Sequence, residues 1–170
     1  MHPLEILLVD DNPVNQEVAV LRLNKINHHV AVAASGTEAI ELFKQMHFDL
    51  VLLDMHMPDM NGFETAAALR KIEDKRGYHT PIIAMTARPT NNNGAEYMEA
   101  GMNGIITKPF TTAILLQALT NLKLLPFQET TDPVSTSEDS SFTDFLSLHE
   151  AEEQEDLLSA ARIYLSNYMK

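Results

Sequence analysis

Short apolar runs alternate with segments of mixed polarity along the first 125 residues of the chain. Five of these runs are continuous, as expected for strands that are buried on both faces of a parallel sheet. They lie at 6–9, 30–33, 50–53, 82–85 and 104–106. The segments between them repeat apolar residues at helical spacing, as Val18 and Leu21 do, and predict helices at 14–25, 37–46, 62–73, 95–100 and 112–122. The alternation predicts an α/β fold, a (βα)5 doubly wound five-stranded parallel sheet with right-handed crossovers.

Residues at the predicted helix starts support this reading. Ser35 is placed to cap the second helix, Pro13 suits the first turn of the first helix, and Thr111 or Thr112 marks the start of the fifth. The fourth helix has the weakest signal, because turn-forming residues fill the segment 88–94 that precedes it. We therefore expect a longer loop after the fourth strand.

The character of the chain changes near residue 127. Residues 1–127 contain 14 acidic and 10 basic residues, whereas residues 128–170 contain 10 acidic and 2 basic residues. We predict a domain at 1–125, an acidic Ser/Thr-rich linker at 126–143 and an amphipathic helix at 144–170, whose apolar stripe includes Leu157, Ala161, Leu165 and Tyr168. Four interpretations of that helix stay open: it docks on the first domain, pairs with another chain, begins a further domain or is a frayed end of the chain.

Composition and charge exclude several functions. The formal net charge of -12 argues against direct binding to nucleic acid, which depends on cations that neutralise phosphates. No apolar run approaches the roughly 20 residues of a membrane helix, and the first residues do not form a secretion signal. We expect no membrane contact by this segment and a cytoplasmic location. The chain has no cysteine, which excludes disulfides, thiolate metal sites and cysteine nucleophiles.

Polar residues stand where the predicted strands end. Asp10 and Asp11 follow the first strand, Asp54 ends the third, Thr86 ends the fourth and Lys108 ends the fifth. The carboxyl ends of parallel strands share one edge of the sheet, where ligands bind in such folds. Three converging carboxylates favour a bound cation, and an oxygen-rich set of ligands suits Mg2+ better than Zn2+.

This set of groups suits transfer of a phosphoryl group to an aspartate. The Asp54 carboxylate would attack phosphorus, while Lys108 and the Thr86 hydroxyl bind the oxygens of the acyl phosphate. The new negative charge can draw a loop inward, which makes the modification a switch.

Five motifs in this order resemble the response-regulator receiver domain of two-component signalling, most closely the receivers of hybrid histidine kinases. The resemblance covers residues 4–124, and its motifs are LVDDN at 8–12, LDMHMPDMNG at 53–62, MTA at 85–87, AGM at 100–102 and TKPF at 107–110. It implies a flavodoxin-like strand order, 2-1-3-4-5. It also implies a phosphorelay function, in which a histidine kinase or a histidine phosphotransfer protein is the phosphoryl donor.

The resemblance assigns roles to residues of the site. Asp54 is the phosphoacceptor, and Asp11, Asp54 and the backbone carbonyl of His56 hold Mg2+, with Asp10 contributing through water. Thr86, Ala87 and Lys108 bind phosphate. The domain catalyses its own phosphorylation and slow dephosphorylation, and is otherwise a switch and not an enzyme.

Further positions follow from the same resemblance. His56 and Arg88 tune the dephosphorylation rate. The partner protein docks near the first helix, on Asn12, Pro13, Val14, Asn15 and Val18. A dimer would form through the face between the fourth and fifth helices or through the C-terminal helix, and residues 144–170 loosely resemble the opening helix of a phosphotransfer domain.

The chain departs from the family pattern before the lysine of the fifth strand. Ile105 stands where many receivers have an aromatic residue, and it follows Asn103 and Gly104. We expect an altered readout through the fourth helix and fifth strand. A phosphohydrolase that forms an aspartyl phosphate is disfavoured, because such enzymes need an acid where this chain has His56. A docking module that works without phosphorylation remains the alternative.

Overall fold

Five parallel strands form one sheet in the computed structural model, which describes residues 2–87 and 94–124. The strands are β1 (Glu5–Val9), β2 (His29–Ala33), β3 (Leu50–Asp54), β4 (Ile82–Thr86) and β5 (Gly104–Thr107). Their order is β2-β1-β3-β4-β5. The predicted doubly wound α/β fold and its flavodoxin-like strand order are therefore confirmed.

Helices follow each strand. They are α1 (Pro13–Lys25), α2 (Gly36–Gln45), α3 (Gly62–Arg76), α4 (Ala95–Glu99) and α5 (Thr112–Asn121). Side chains of Ser35 and Thr111 cap α2 and α5, and Pro13 lies in the first turn of α1, as predicted. The α3 helix continues to Arg76 and not 73, because the left-handed residue that ends it is Gly77, with φ 74°. The fourth helix has only five residues, in keeping with its weak sequence signal.

The sheet has an apolar core on each side. Alternate strand residues point to opposite faces, so β1 sends Leu7 and Val9 to one core and Ile6 and Leu8 to the other. The first core lies under α2, α3 and α4, and we name this side the α3 face. The second lies under α1 and α5, and we name it the α1 face. Because both faces are covered, the polar groups of the sheet are accessible at the strand ends.

Several predictions concern residues outside the described ranges. Arg88, the loop 88–93, the linker 126–143 and the helix 144–170 all lie there. None of the helices in residues 2–87 and 94–124 is long and apolar enough to span a bilayer.

Candidate functional site

Four neighbouring strands bring polar side chains to the carboxyl edge of the sheet. Asp10 directly follows β1, Asp54 ends β3, Thr86 ends β4 and Lys108 directly follows β5. β3 pairs with β1 on one side and with β4 on the other, and β4 pairs with β5. Asp54 therefore stands at the centre of the group, as the sequence predicts.

The Lys108 ammonium bridges two carboxylates. Its Nζ lies 2.5 Å from Asp10 Oδ2 and 2.8 Å from Asp54 Oδ2. The side chains of Asp10 and Asp54 are 2% and 8% exposed, and that of Lys108 is 16% exposed. Water screens these charges far less than it screens surface pairs, so the lysine holds the two acids together in spite of their mutual repulsion. The backbone N–H of Lys108 also donates to Thr86 O at 2.8 Å, which ties the end of β5 to β4.

Three carboxylates meet at this edge. One oxygen from each of Asp10, Asp11 and Asp54 lies within 4.8 Å of the others, and Asp11 is the exposed member. Only one ammonium group faces these three acids in the described part of the chain, so the site remains negative. Carboxylate oxygens are hard ligands, and the cluster contains no nitrogen or sulfur ligand. This donor set fits Mg2+.

Asp10 is fixed by amide donors from the start of α1. Its Oδ1 accepts from the backbone N–H of Asn12 at 2.9 Å and from Asn15 Nδ2 at 3.2 Å. Gln16 Nε2 donates to the Asp10 backbone carbonyl at 2.6 Å. From the sequence, Asn15 is predicted only as a docking residue, and Gln16 is not predicted at all. Two amide side chains placed five and six residues after the acid, on the first turns of α1, were the signal that could have revealed both.

Asp54 is oriented by the backbone that follows it. Its Oδ1 accepts from the N–H of His56 at 3.1 Å, and Met55 N donates to Met85 O at 3.1 Å. The first residue of α3, Gly62, lies against this segment. A Cβ on Gly62 would stand 2.7 Å from Asp54 O and 2.8 Å from Met55 Cα, closer than such atoms approach. The absence of a side chain at Gly62 therefore allows α3 to start directly on the backbone that carries Asp54.

The remaining predicted phosphate and tuning residues lie close to this edge in different environments. Thr86 is fully buried and Ala87, which follows it, is exposed. His56 lies two residues after Asp54 and is exposed to solvent. Arg88 falls outside the described residues.

The predicted docking residues occupy the first turns of α1. Asn12 and Asn15 are exposed, and Pro13, Val14 and Val18 are partly buried. Asn15 connects this surface to the site, since its side chain donates to Asp10.

The family model of the response regulator receiver domain matches residues 6–120 of the chain. The match covers more than half of the sequence and contains every group described at the sheet edge. The chain belongs to the response-regulator receiver family, in which the domain acts as a phosphoacceptor switch.

Curated relatives are histidine kinases that are much longer than this chain. Hybrid signal transduction histidine kinase M of Dictyostelium discoideum is 42% identical over 120 residues, which cover 69% of this chain and 5% of the kinase. Sensor histidine kinase AruS of Pseudomonas aeruginosa is 41% identical over 116 residues, which cover 68% of this chain and 12% of the kinase. The chain is thus similar to the receiver portion of such kinases and spans a small part of their length.

Among solved structures, the receiver domain of sensor histidine kinase PA1611 from Pseudomonas aeruginosa PAO1 is similar to this fold. It is 34% identical with a TM-score of 0.63, and the match covers 71% of this chain and 97% of that domain. Its structure has a magnesium ion coordinated in the active site cleft.

Proposed function

We propose that this chain is a phosphorelay receiver in which Asp54 accepts a phosphoryl group from a phosphohistidine of a histidine kinase or a histidine phosphotransfer protein. The observation that carries the proposal is the Lys108 ammonium, 2.8 Å from Asp54 Oδ2 and bridged to Asp10. A carboxylate that is nearly buried, paired with a cation and open at a sheet edge is placed to act as a nucleophile toward phosphorus.

The reaction balances without a further reactant. An oxygen of the Asp54 carboxylate forms a bond to phosphorus, and the bond from phosphorus to the histidine nitrogen of the donor breaks. The electron pair stays on the imidazole, which becomes neutral. Lys108 and the Thr86 hydroxyl bind the oxygens of the transferred group, and the backbone N–H of Ala87 completes this set.

The same edge of the sheet is also the proposed metal site. Asp11, Asp54 and the backbone carbonyl of His56 would hold Mg2+, and Asp10 would contribute through water. The ion supplies positive charge that offsets the charge of the phosphoryl oxygens and of the acids. The oxygen-only donor set and the magnesium in the PA1611 receiver support this assignment.

The switch follows from competition for Lys108. In the unmodified protein its ammonium serves two carboxylates. An acyl phosphate on Asp54 carries about two negative charges in place of the one on the carboxylate, so Lys108 turns toward the new oxygens. Thr86 and Ala87 move inward with the loop that they begin. Water later hydrolyses the acyl phosphate slowly, and His56 and Arg88 tune that rate.

The partner docks on α1 through Asn12, Pro13, Val14, Asn15 and Val18. These residues border the Asp10 side of the site, so a histidine presented there meets Asp54 at the open edge. The domain boundaries at 125 and 143, a cytoplasmic location, and a dimer through the face between α4 and α5 or through the C-terminal helix belong to the same proposal.

Intact mass after incubation with acetyl phosphate tests the central step. We expect one added phosphoryl group in the wild type with Mg2+, and none without Mg2+ or in Asp54→Asn. Asp59→Asn is the matched control, because Asp59 is an exposed loop acid whose positive φ of 66° asparagine tolerates. It should be phosphorylated like the wild type.

A wild-type protein that remains folded, binds Mg2+ and gains no mass would contradict the switch. That result would support the alternative, a docking module that works without phosphorylation.

A further inference from the structure

The orientation of the Asp10 carboxylate depends on the groups around it. Its side chain is 2% exposed, and its Oδ2 lies 2.5 Å from Lys108 Nζ. The torsion that rotates an aspartate carboxylate is broad, so the side chain's own preferences do not fix the plane of its two oxygens. The direction in which Asp10 presents an oxygen to Asp11 and Asp54 is therefore set by its hydrogen-bond donors.

The Asn15 side chain spans this carboxylate. Its Nδ2 lies 3.2 Å from Oδ1 and 3.4 Å from Oδ2 of Asp10. A donor at nearly equal distances from both oxygens opposes rotation in either direction, because turning the carboxylate lengthens one of the two contacts. The backbone N–H of Asn12 adds a bond to Oδ1 at 2.9 Å.

The main chain of Asp10 is held by other groups. Its N–H donates to Ala33 O at 3.1 Å, and its carbonyl accepts from Gln16 Nε2 at 2.6 Å. Asn15 itself is an exposed residue in the first turn of α1, so its side chain does not fill the core. Loss of the Asn15 amide would therefore release the carboxylate and leave the backbone that carries it in place.

Lys108 determines where a released carboxylate would turn. Its ammonium has three N–H donors and already lies close to both Asp10 and Asp54. Without Asn15, both Asp10 oxygens would turn toward this cation, since opposite charges attract strongly where water is excluded. The Asp10 oxygen would then leave the cluster in which it lies within 4.8 Å of oxygens of Asp11 and Asp54.

We propose that Asn15 is a positioning residue of the metal site, whose amide holds the Asp10 carboxylate in the orientation that faces Mg2+. Outer groups that orient the acids of a metal site contribute a factor of about 10 to 100 to metal affinity. We expect a factor at the lower end, because the Asn12 N–H still holds Oδ1 when the Asn15 amide is removed. The inference rests on the Mg2+ role in the proposed function.

Three full-length proteins test this role: the wild type, Asn15→Leu and Asn24→Leu. Leucine has the branched shape of asparagine and lacks the N–H donors. Asn24 is the matched control, because it is an exposed asparagine in the last turn of the same helix.

Mg2+ is added stepwise to each protein while the backbone N–H resonances at the sheet edge are followed by NMR. The Kd for Mg2+ should be about tenfold higher in Asn15→Leu than in the wild type, and unchanged in Asn24→Leu. Unfolded protein gives separate resonances, so the Kd describes the folded protein alone. A loss of stability without a change in the site would leave this Kd at the wild-type value.

The side-chain amide of Asn15 provides a second measurement, which needs no variant. In the wild type without Mg2+, its Nδ2 protons should exchange with water more slowly than those of Asn24, because the amide donates to a nearly buried carboxylate.

Equal Kd values in the wild type and Asn15→Leu would overturn the proposal and leave the Mg2+ role of the site intact. Asn15 amide protons that exchange as fast as those of Asn24 would also overturn it. A folded wild-type protein that binds no Mg2+ would overturn the metal site and this inference together, so the two failures are distinguishable.

Discussion

Two arginines, one on each face of the sheet, have different surroundings. On the α3 face, Arg70 donates to Gly101 O at 2.6 Å from Nη2 and at 3.0 Å from Nε. Its Nη1 donates to Glu73 at 2.5 Å and to Thr80 O at 2.8 Å. On the α1 face, Arg22 is 3% exposed, and its guanidinium carbon lies 5.9 Å from the centre of the Phe110 ring.

The difference separates an arginine that is held by hydrogen bonds from one that lies against an aromatic ring. Around Arg70, two of the acceptors, Glu73 and Asn103, also hold a backbone N–H. Glu73 Oε1 also accepts from Thr80 N at 2.6 Å, and Asn103 Oδ1 accepts from both Arg70 and Ile82 N, each at 3.0 Å. This network joins α3, the start of β4 and the connection from α4 to β5. Within residues 2–87 and 94–124, the contact found for the Arg22 guanidinium is the Phe110 ring.

Replacing Arg70 should have the largest effect on the free energy of unfolding. Arg70→Met leaves Glu73, which is 3% exposed, as a buried carboxylate without its cation. We expect a loss of about 3–5 kcal/mol in the free energy of unfolding, measured by urea denaturation. Lys71→Met, at the adjacent exposed position, should change the stability by less than about 0.5 kcal/mol. Equal losses in the two variants would show that the network contributes nothing of its own.

Removing one acceptor from this network should lower the free energy of unfolding by a smaller amount. Asn103→Ala removes the side-chain oxygen that serves Arg70 and Ile82 N, and it leaves the other acceptors of Arg70 in place. We expect a loss of about 1–3 kcal/mol, because one donor group near β4 becomes unsatisfied. Hydrogen exchange of the Ile82 amide should accelerate in this variant. Unchanged protection of that amide would contradict the assignment.

The smallest effect concerns His28, a buried residue that follows α1. His28 is 4% exposed and its Nε2 has no hydrogen-bond partner among the described residues, while its Nδ1 lies 3.3 Å from Leu4 N. Desolvation by burial lowers the pKa of His28 below its ordinary value of 6.5, since burial disfavours the charged ring. The unfolded chain therefore binds a proton at a higher pH than the folded chain does.

The stability that His28 contributes is present above pH 6.5 and is lost as the pH falls below that value. We expect His28→Gln to have a smaller decrease in the free energy of unfolding between pH 7 and about pH 5 than the wild type. Urea denaturation at each pH measures this difference. His29→Gln, at the adjacent exposed residue, is the control and should retain the wild-type decrease. A His28→Gln protein with the full decrease would show that another group causes it.

The sequence predicted the sheet and the site edge because both depend on local patterns. Continuous apolar runs identified the strands, and residues that end strands of a parallel sheet meet at one edge, as Asp54 and Lys108 do. The roles assigned to these residues in phosphorylation and Mg2+ binding remain predictions. So does the docking role of the α1 residues.

The surroundings of the two arginines could not be predicted in this way. An arginine in a helical segment of mixed polarity is expected to be exposed. The hydrogen-bond partners of Arg70 lie far away in sequence, Gly101 by 31 residues and Asn103 by 33. Arg22 likewise meets Phe110 only after α1 and the end of β5 have assembled on the sheet. Burial of this kind arises from tertiary packing, which no local pattern contains.

Gly62 has a consequence for natural variation in this family of sequences. A Cβ at this position would stand 2.7 Å from Asp54 O, so any other residue must displace the backbone that orients the phosphoacceptor. A library of single substitutions selected for phosphorylation should therefore be depleted at Gly62 about as strongly as at Asp54. Asp54 is restricted by the reactivity of its side chain, whereas Gly62 is restricted because the backbone of Asp54 and Met55 already fills the space that a side chain would need.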